Sequence, residues 1–130
     1  MKQQRGFTVI ELIFVIAFVG LAAGLLLYQK AGALAAQRDE QRKIAINAMY
    51  YNLEEVFYEK NGYYPEKIDS KTLRAMDPQL FTDPNGHKLG EAGSDYRYES
   101  GDCQGDHCKN YILRADMEKE ADYIKNNRNK

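Results

Sequence analysis

Two groups of residues in this chain have types and spacings that could do chemistry. The first is a single carboxylate. Between Phe7 and Tyr28, Glu11 is the only charged residue. An unpaired acid in the middle of a membrane-length helix costs about 2.5–3.5 kcal/mol on insertion scales, and such residues usually serve a function. The second group is Asp102-Cys103-Gln104-Gly105-Asp106-His107-Cys108. Its cysteines are close enough for a disulfide that closes a tight hairpin loop, the natural outcome in an exported domain. So short a loop contributes at the low end of roughly 2–4 kcal/mol. Zinc held by Cys103, His107 and Cys108 is the alternative, but a fourth well-spaced ligand is missing.

Other polar stretches carry less. Asp83-Pro84-Asn85-Gly86, Asp102 and Asp106 offer oxygens to calcium, yet the EF-hand spacing is absent and a plain turn is the simpler reading. The sequence has no P-loop, no HExxH and no GxSxG. His87 and His107 fall in expected loops, and nothing supports a paired-carboxylate hydrolase. We expect no catalytic residue, no cofactor, no metal and no enzyme.

The elements that must position Glu11 and the cysteines follow from the apolar pattern. Residues 7–28 would form a helix of about 33 Å, enough to cross a hydrocarbon core of roughly 30 Å. Lys2 and Arg5 precede it, so the basic stub should stay cytoplasmic and the larger C-terminal part should lie outside. Three readings of this segment compete. A secretory signal would be cut at Ala33-Leu34-Ala35, leaving Ala36 first. A plain single-pass anchor would stay uncut. The third reading uses the Gly6-Phe7 junction.

Gly6-Phe7-Thr8-Val9-Ile10-Glu11-Leu12, followed by a long apolar helix, resembles the class III signal of the type IV pilins and pseudopilins. The resemblance covers about the first 30 residues and requires glycine, phenylalanine and glutamate in register. It implies cleavage after Gly6, N-methylation of Phe7, and pairing of the Phe7 amine with Glu11 of an adjacent subunit. It also implies partners: further copies in a helical homopolymer, other pilins, a prepilin peptidase, a membrane platform protein and an assembly ATPase. Minor pilins and pseudopilins of type II secretion share the same signal. The chain departs from many type IV pilins in having no proline before Pro65. Gly20 and Gly24, spaced as GxxxG, are expected to serve close helix packing or local melting.

Ile46, Met49, Tyr50, Leu53, Val56 and Phe57 recur at helical spacing, while Gln41, Lys43, Asn47, Asn52, Glu54 and Glu55 are expected largely off that stripe. One helix from Phe7 to about Lys60 is therefore predicted, stopped at Asn61-Gly62 before Pro65. Glu40-Gln41-Arg42-Lys43 reads as a solvated or subunit-facing band. Residues 70–76 suggest a short helix capped by Asp69 or Ser70 and ended by Asp77-Pro78. Residues 96–99 and 110–115 read as antiparallel strands joined by the cysteine loop, with a third strand near Lys88-Leu89 or residues 121–124. Many of the tyrosines beyond Tyr28 should bury their rings and wet their hydroxyls. Residues 126–130 should fray.

The expected fold class is α+β: a long N-terminal spine helix, half of it transmembrane, packed on a small antiparallel sheet. The expected division is a leader at 1–6, a membrane and polymerisation helix at 7–28, an amphipathic half at 29–61 and a small globular domain at 62–130. The formal net charge of -1, or -3 without Lys2 and Arg5, gives no basic excess for nucleic acid. Lys60, Lys67, Lys71, Lys88, Lys109 and Lys125 are scattered rather than striped, so DNA uptake is a minor expectation. The expected location is the cytoplasmic membrane and then an extracellular filament.

Overall fold

Thr8 opens the long helix. Its hydroxyl accepts the Glu11 amide (3.3 Å), and its carbonyl accepts the Leu12 amide (3.0 Å). These bonds satisfy two of the donors that a helix start leaves orphaned. The computed structural model describes residues 6–128. Lys2, Arg5 and the expected leader apart from Gly6 lie outside the described residues, as do Asn129 and Lys130.

Helix α1 runs Val9–Tyr51. A π-helical segment, Asn52–Tyr58, and a last turn, α2 at Glu59–Asn61, continue it. Gly62 ends the helix in the left-handed conformation (φ 76°), the C-terminal stop that Asn61-Gly62 predicts. Strands follow at β1 (Tyr64–Pro65), β2 (Tyr96–Gln104), β3 (His107–Ala115) and β4 (Tyr123–Asn126). The fold is α+β, a long apolar N-terminal helix with a small antiparallel sheet.

The chain divides into two compact units, Met1–Ala35 and Ala36–Lys130. In the first, the apolar stretch of the helix is exposed throughout, including Phe14, Phe18, Leu21 and Leu25. It is long and apolar enough to cross a membrane.

In the second unit, β3 is the central strand. β2 pairs along one side of it, Tyr96 opposite Ala115 and Cys103 opposite Cys108. β1 and β4 both pair with β3 as well, β1 at residues 107 and 108 and β4 at residues 112 to 115. They share the side that β2 leaves free. The core joins Ala45, Ile46, Met49 and Leu53 of the helix to Tyr64, Ile68, Leu73, Met76, Phe81, Tyr96, Tyr111 and Leu113.

Several expectations needed correction here. The apolar stripe holds through Leu53 and then shifts. Asn52, Leu53 and Glu54 are buried in succession while Val56 is 40% exposed. The wider π turn re-aims each side chain relative to a 3.6-residue repeat. The stretch 70–76 is turns rather than a helix, although Asp69 caps it by accepting from Lys71 and Thr72. Asp77 begins an element instead of ending one: it caps the 3-10 helix Pro78–Phe81 by accepting the Gln79 amide. Of the two places expected for a third strand, the one near residues 121–124 is borne out at Tyr123–Asn126, and Lys88 forms only an isolated bridge to Thr82. Ile112 faces away from the core, because alternation places Tyr111, Leu113 and Ala115 inward. Residues 126–128 are held rather than frayed: Asn127 accepts the Tyr111 amide, and Arg128 bonds Tyr50, Glu54 and Glu55.

Candidate functional site

Gly6, Phe7 and Thr8 precede the helix and are exposed. Glu11 lies in its first turn, three residues after its cap. Thr8-x-x-Glu11 has capping-box spacing, and an acid here also meets the positive end of the helix dipole. Among the described residues, no hydrogen bond or ion pair reaches the Glu11 carboxylate. The large apolar side chains around it are exposed, Phe7 at 80% and Ile10 at 68%. Gly20 and Gly24 also face open space; a Cβ at either would meet nothing within 4 Å. Among the described residues, the segment therefore presents an apolar cylinder with one unpaired acid near its start.

The second unit holds two polar clusters that the sequence pattern did not reveal. Arg42, expected on a solvated band, is 2% exposed. It donates to Asp39 (2.9 Å), to Asp95 (2.8 Å) and to Glu118 (2.9 Å). Arg38 adds a two-pronged contact to Glu118 (2.7 and 2.9 Å). Asp39 accepts the backbone N–H groups of Glu118 and Lys119. Burial alone would raise the Asp39 carboxyl, but those N–H groups and Arg42 hold it below its ordinary value. Hydrogen bonds from Arg38 and Arg42 push Glu118 down to about 2. Asp95 links this cluster to the turn at 83–86 through Asn85 (2.9 Å).

Glu54 forms the other cluster. It is 3% exposed. Tyr111 donates to Oε1 (2.7 Å), Tyr64 donates to Oε2 (3.0 Å), and the Arg128 amide donates to Oε1 (3.0 Å). At three positions the expectation of wet tyrosine hydroxyls fails. Tyr64 and Tyr111 find a buried carboxylate, and Tyr98 donates to the Pro65 carbonyl (2.6 Å). The signal in the sequence is an acid set within an apolar periodic run, next to a tyrosine-rich strand.

Asp83-Pro84-Asn85-Gly86 is the expected turn. Asp83 is buried and accepts the amides of Asn85, His87 and Asp95. Burial would raise its carboxyl, but these three N–H groups hold it low. Its oxygens are thus committed to the turn rather than aimed at a cation. Among the described residues, no cluster of His, Cys, Asp and Glu is placed to hold a metal.

Cys103 and Cys108 form a disulfide across the β2–β3 hairpin. This overturns the zinc alternative, since neither sulfur is a free thiolate. Gly105-Asp106 makes the turn, with Gly105 at φ 63°. At Gly101 a Cβ would collide with the Asn110 side chain, which donates to Asp102 (2.8 Å). Beside the disulfide, Tyr58, Tyr63, Asp102, His107 and Lys109 line a cavity of about 340 Å³. The His107 ring stacks on Tyr63 at 3.7 Å. No protein-family model matches this chain, and no solved structure matches it significantly.

Proposed function

We propose that this chain is a structural subunit of a type IV pilus-like filament, made as a prepilin, cleaved after Gly6, N-methylated at Phe7 and polymerised through its N-terminal helix. The observation that carries the reading is Glu11: a lone carboxylate without a partner among the described residues, one turn from Phe7, on an otherwise apolar and exposed helix. Cleavage at Gly6-Phe7 would create the amine that neutralises it. Pairing between copies would fix their axial register, and a screw repeat of such contacts builds an open filament. The chain would be a structural component without catalytic activity. It would act with other pilins, a prepilin peptidase, a platform protein and an assembly ATPase, first in the cytoplasmic membrane and then outside the cell. A minor pilin or a type II secretion pseudopilin is the near variant of the same reading, separated by abundance in the filament.

Intact mass and N-terminal sequencing of the mature protein test the processing. The expected product begins at N-methyl-Phe7; a start at Ala36 overturns the proposal. The Glu11→Ala variant should insert in the membrane but fail to assemble. The cavity beside Cys103–Cys108 favours a second reading, a membrane-anchored binding domain. That reading expects Glu11→Ala to leave function intact.

A further inference from the structure

β2 lies at the edge of the sheet and pairs only with β3. The Asp116 amide donates to the Asp95 carbonyl (2.9 Å). That bond fixes the alternation along the strand: residues 95, 97 and 99 bond toward β3, and residues 96, 98 and 100 turn their N–H and C=O groups outward. Ser94 Oγ accepts the Tyr96 amide (3.2 Å). Among the described residues, the amides of Tyr98 and Ser100 donate to nothing. This edge opens into a cleft of about 710 Å³ whose lining includes Lys67, Glu91, Arg97, Tyr98 and Glu99. An exposed row of unpaired backbone groups is a template for another strand unless something blunts it.

Charges of one sign along the edge would repel a second copy. Here Arg97 and Glu99 are both exposed on the outer face, two residues apart and opposite in sign. In an antiparallel pair of β2 edges centred on Tyr98, Arg97 of each copy stands opposite Glu99 of the other. The outward groups of residue 98 meet residue 98, so the backbone alternation and the charge pattern select the same register; Tyr96 is buried and its amide is taken by Ser94, so residue 96 adds no pairing groups. Arg97 has one exposed partner within the chain, Asp116 (3.2 Å); Glu99 has no ion-pair partner among the described residues. Asp102, at φ 52°, breaks the extended backbone, and with Tyr96 buried the accessible edge is limited to residues 97–100.

We propose that the β2 edge is an interaction surface for a second copy of this chain, joined by antiparallel strand pairing about a two-fold axis at Tyr98. The contact is isologous, so each copy uses its edge once. It is independent of the assignment of Glu11 and applies equally to a filament subunit and to an anchored domain.

Site-directed cross-linking of the full chain in lipid nanodiscs tests it. Directly opposed residues of this class have Cα atoms about 4.5 Å apart, within disulfide reach, whereas diagonal neighbours lie about 7–8 Å apart. Mixed Arg97→Cys and Glu99→Cys copies should therefore cross-link several-fold more than either variant alone, with peptide mapping to exclude exchange with Cys103–Cys108. Charge reversal gives a second readout. Arg97→Glu or Glu99→Arg alone should weaken dimerisation about tenfold, and the double exchange should restore it. Both positions are exposed, so the fold should survive, which melting curves check. No preference for the mixed pair, or no rescue by the double exchange, overturns the proposal. Cross-linking of Arg97→Cys to a foreign protein instead of a Glu99→Cys copy would assign the edge to another partner and overturn it as well.

Discussion

Glu11 and Glu54 stand on the same helical run, Val9–Asn61, in opposite circumstances. Glu11 is exposed among exposed apolar side chains and has no partner for its carboxylate among the described residues. Glu54 is buried and accepts from two tyrosine hydroxyls and a backbone amide. A buried polar group is tolerated where donors converge on it and is costly where they do not. Glu54 has therefore found its solution within the chain. Among the described residues, Glu11 has no such solution. An acid satisfied within the fold is a matter of stability; for the open one, the proposed role is assembly.

Four measurements would break or sharpen this contrast. The largest effect is expected for Glu54→Ala, which removes the shared acceptor of two core tyrosine hydroxyls and the Arg128 amide and should cost about 4 kcal/mol in denaturant unfolding. A loss below about 1 kcal/mol would mean that water replaces the carboxylate. Arg42→Ala should cost about 3 kcal/mol, since it leaves Asp39 and Asp95 without their buried cation, while Glu118 is partly exposed and screened. Third comes pH. Asp39, Asp83 and Glu118 have depressed pKa values in the folded state. A depressed carboxyl stabilises the fold fully above its unfolded value and loses that contribution as pH falls through its folded value. Melting temperature should thus hold from neutral pH to about 4.5 and fall as pH approaches about 2. The smallest stability effect is expected for Glu11→Ala, within about 0.5 kcal/mol, although the same change should abolish assembly. A large loss of stability would place Glu11 with Glu54 and remove the contrast.

The parts of this molecule legible in its sequence are those governed by near neighbours. The long helix follows from its periodicity and its Asn61-Gly62 stop. The hairpin follows from an alternating aromatic and charged run at 96–99 and a mostly apolar run at 110–115, joined by the cysteine loop. What stayed hidden depends on distant residues or on a change of period. Arg42 reads as surface because Asp95 and Glu118 are far away in sequence. Glu54 reads as polar and outward because a 3.6-residue count fails across the π-helical segment. β1 is too short to leave an alternating pattern, and only its pairing with β3 defines it. At the candidate site, Gly6, Phe7 and Glu11 were readable as a motif. Thr8 was overlooked, though a threonine three residues before a glutamate is itself a signal of a helix start.

The β2–β3 hairpin also bears on the order of events during folding. Its strands are joined by a two-residue turn and fastened across that turn by Cys103 and Cys108. Such a unit closes on the microsecond scale and needs no distant part of the chain. β1 and β4 must then find β3 from opposite directions along the chain, and loop-closure entropy makes those searches slower. Once oxidised, the hairpin would keep its strand register through later unfolding, so refolding would begin from a template already in place.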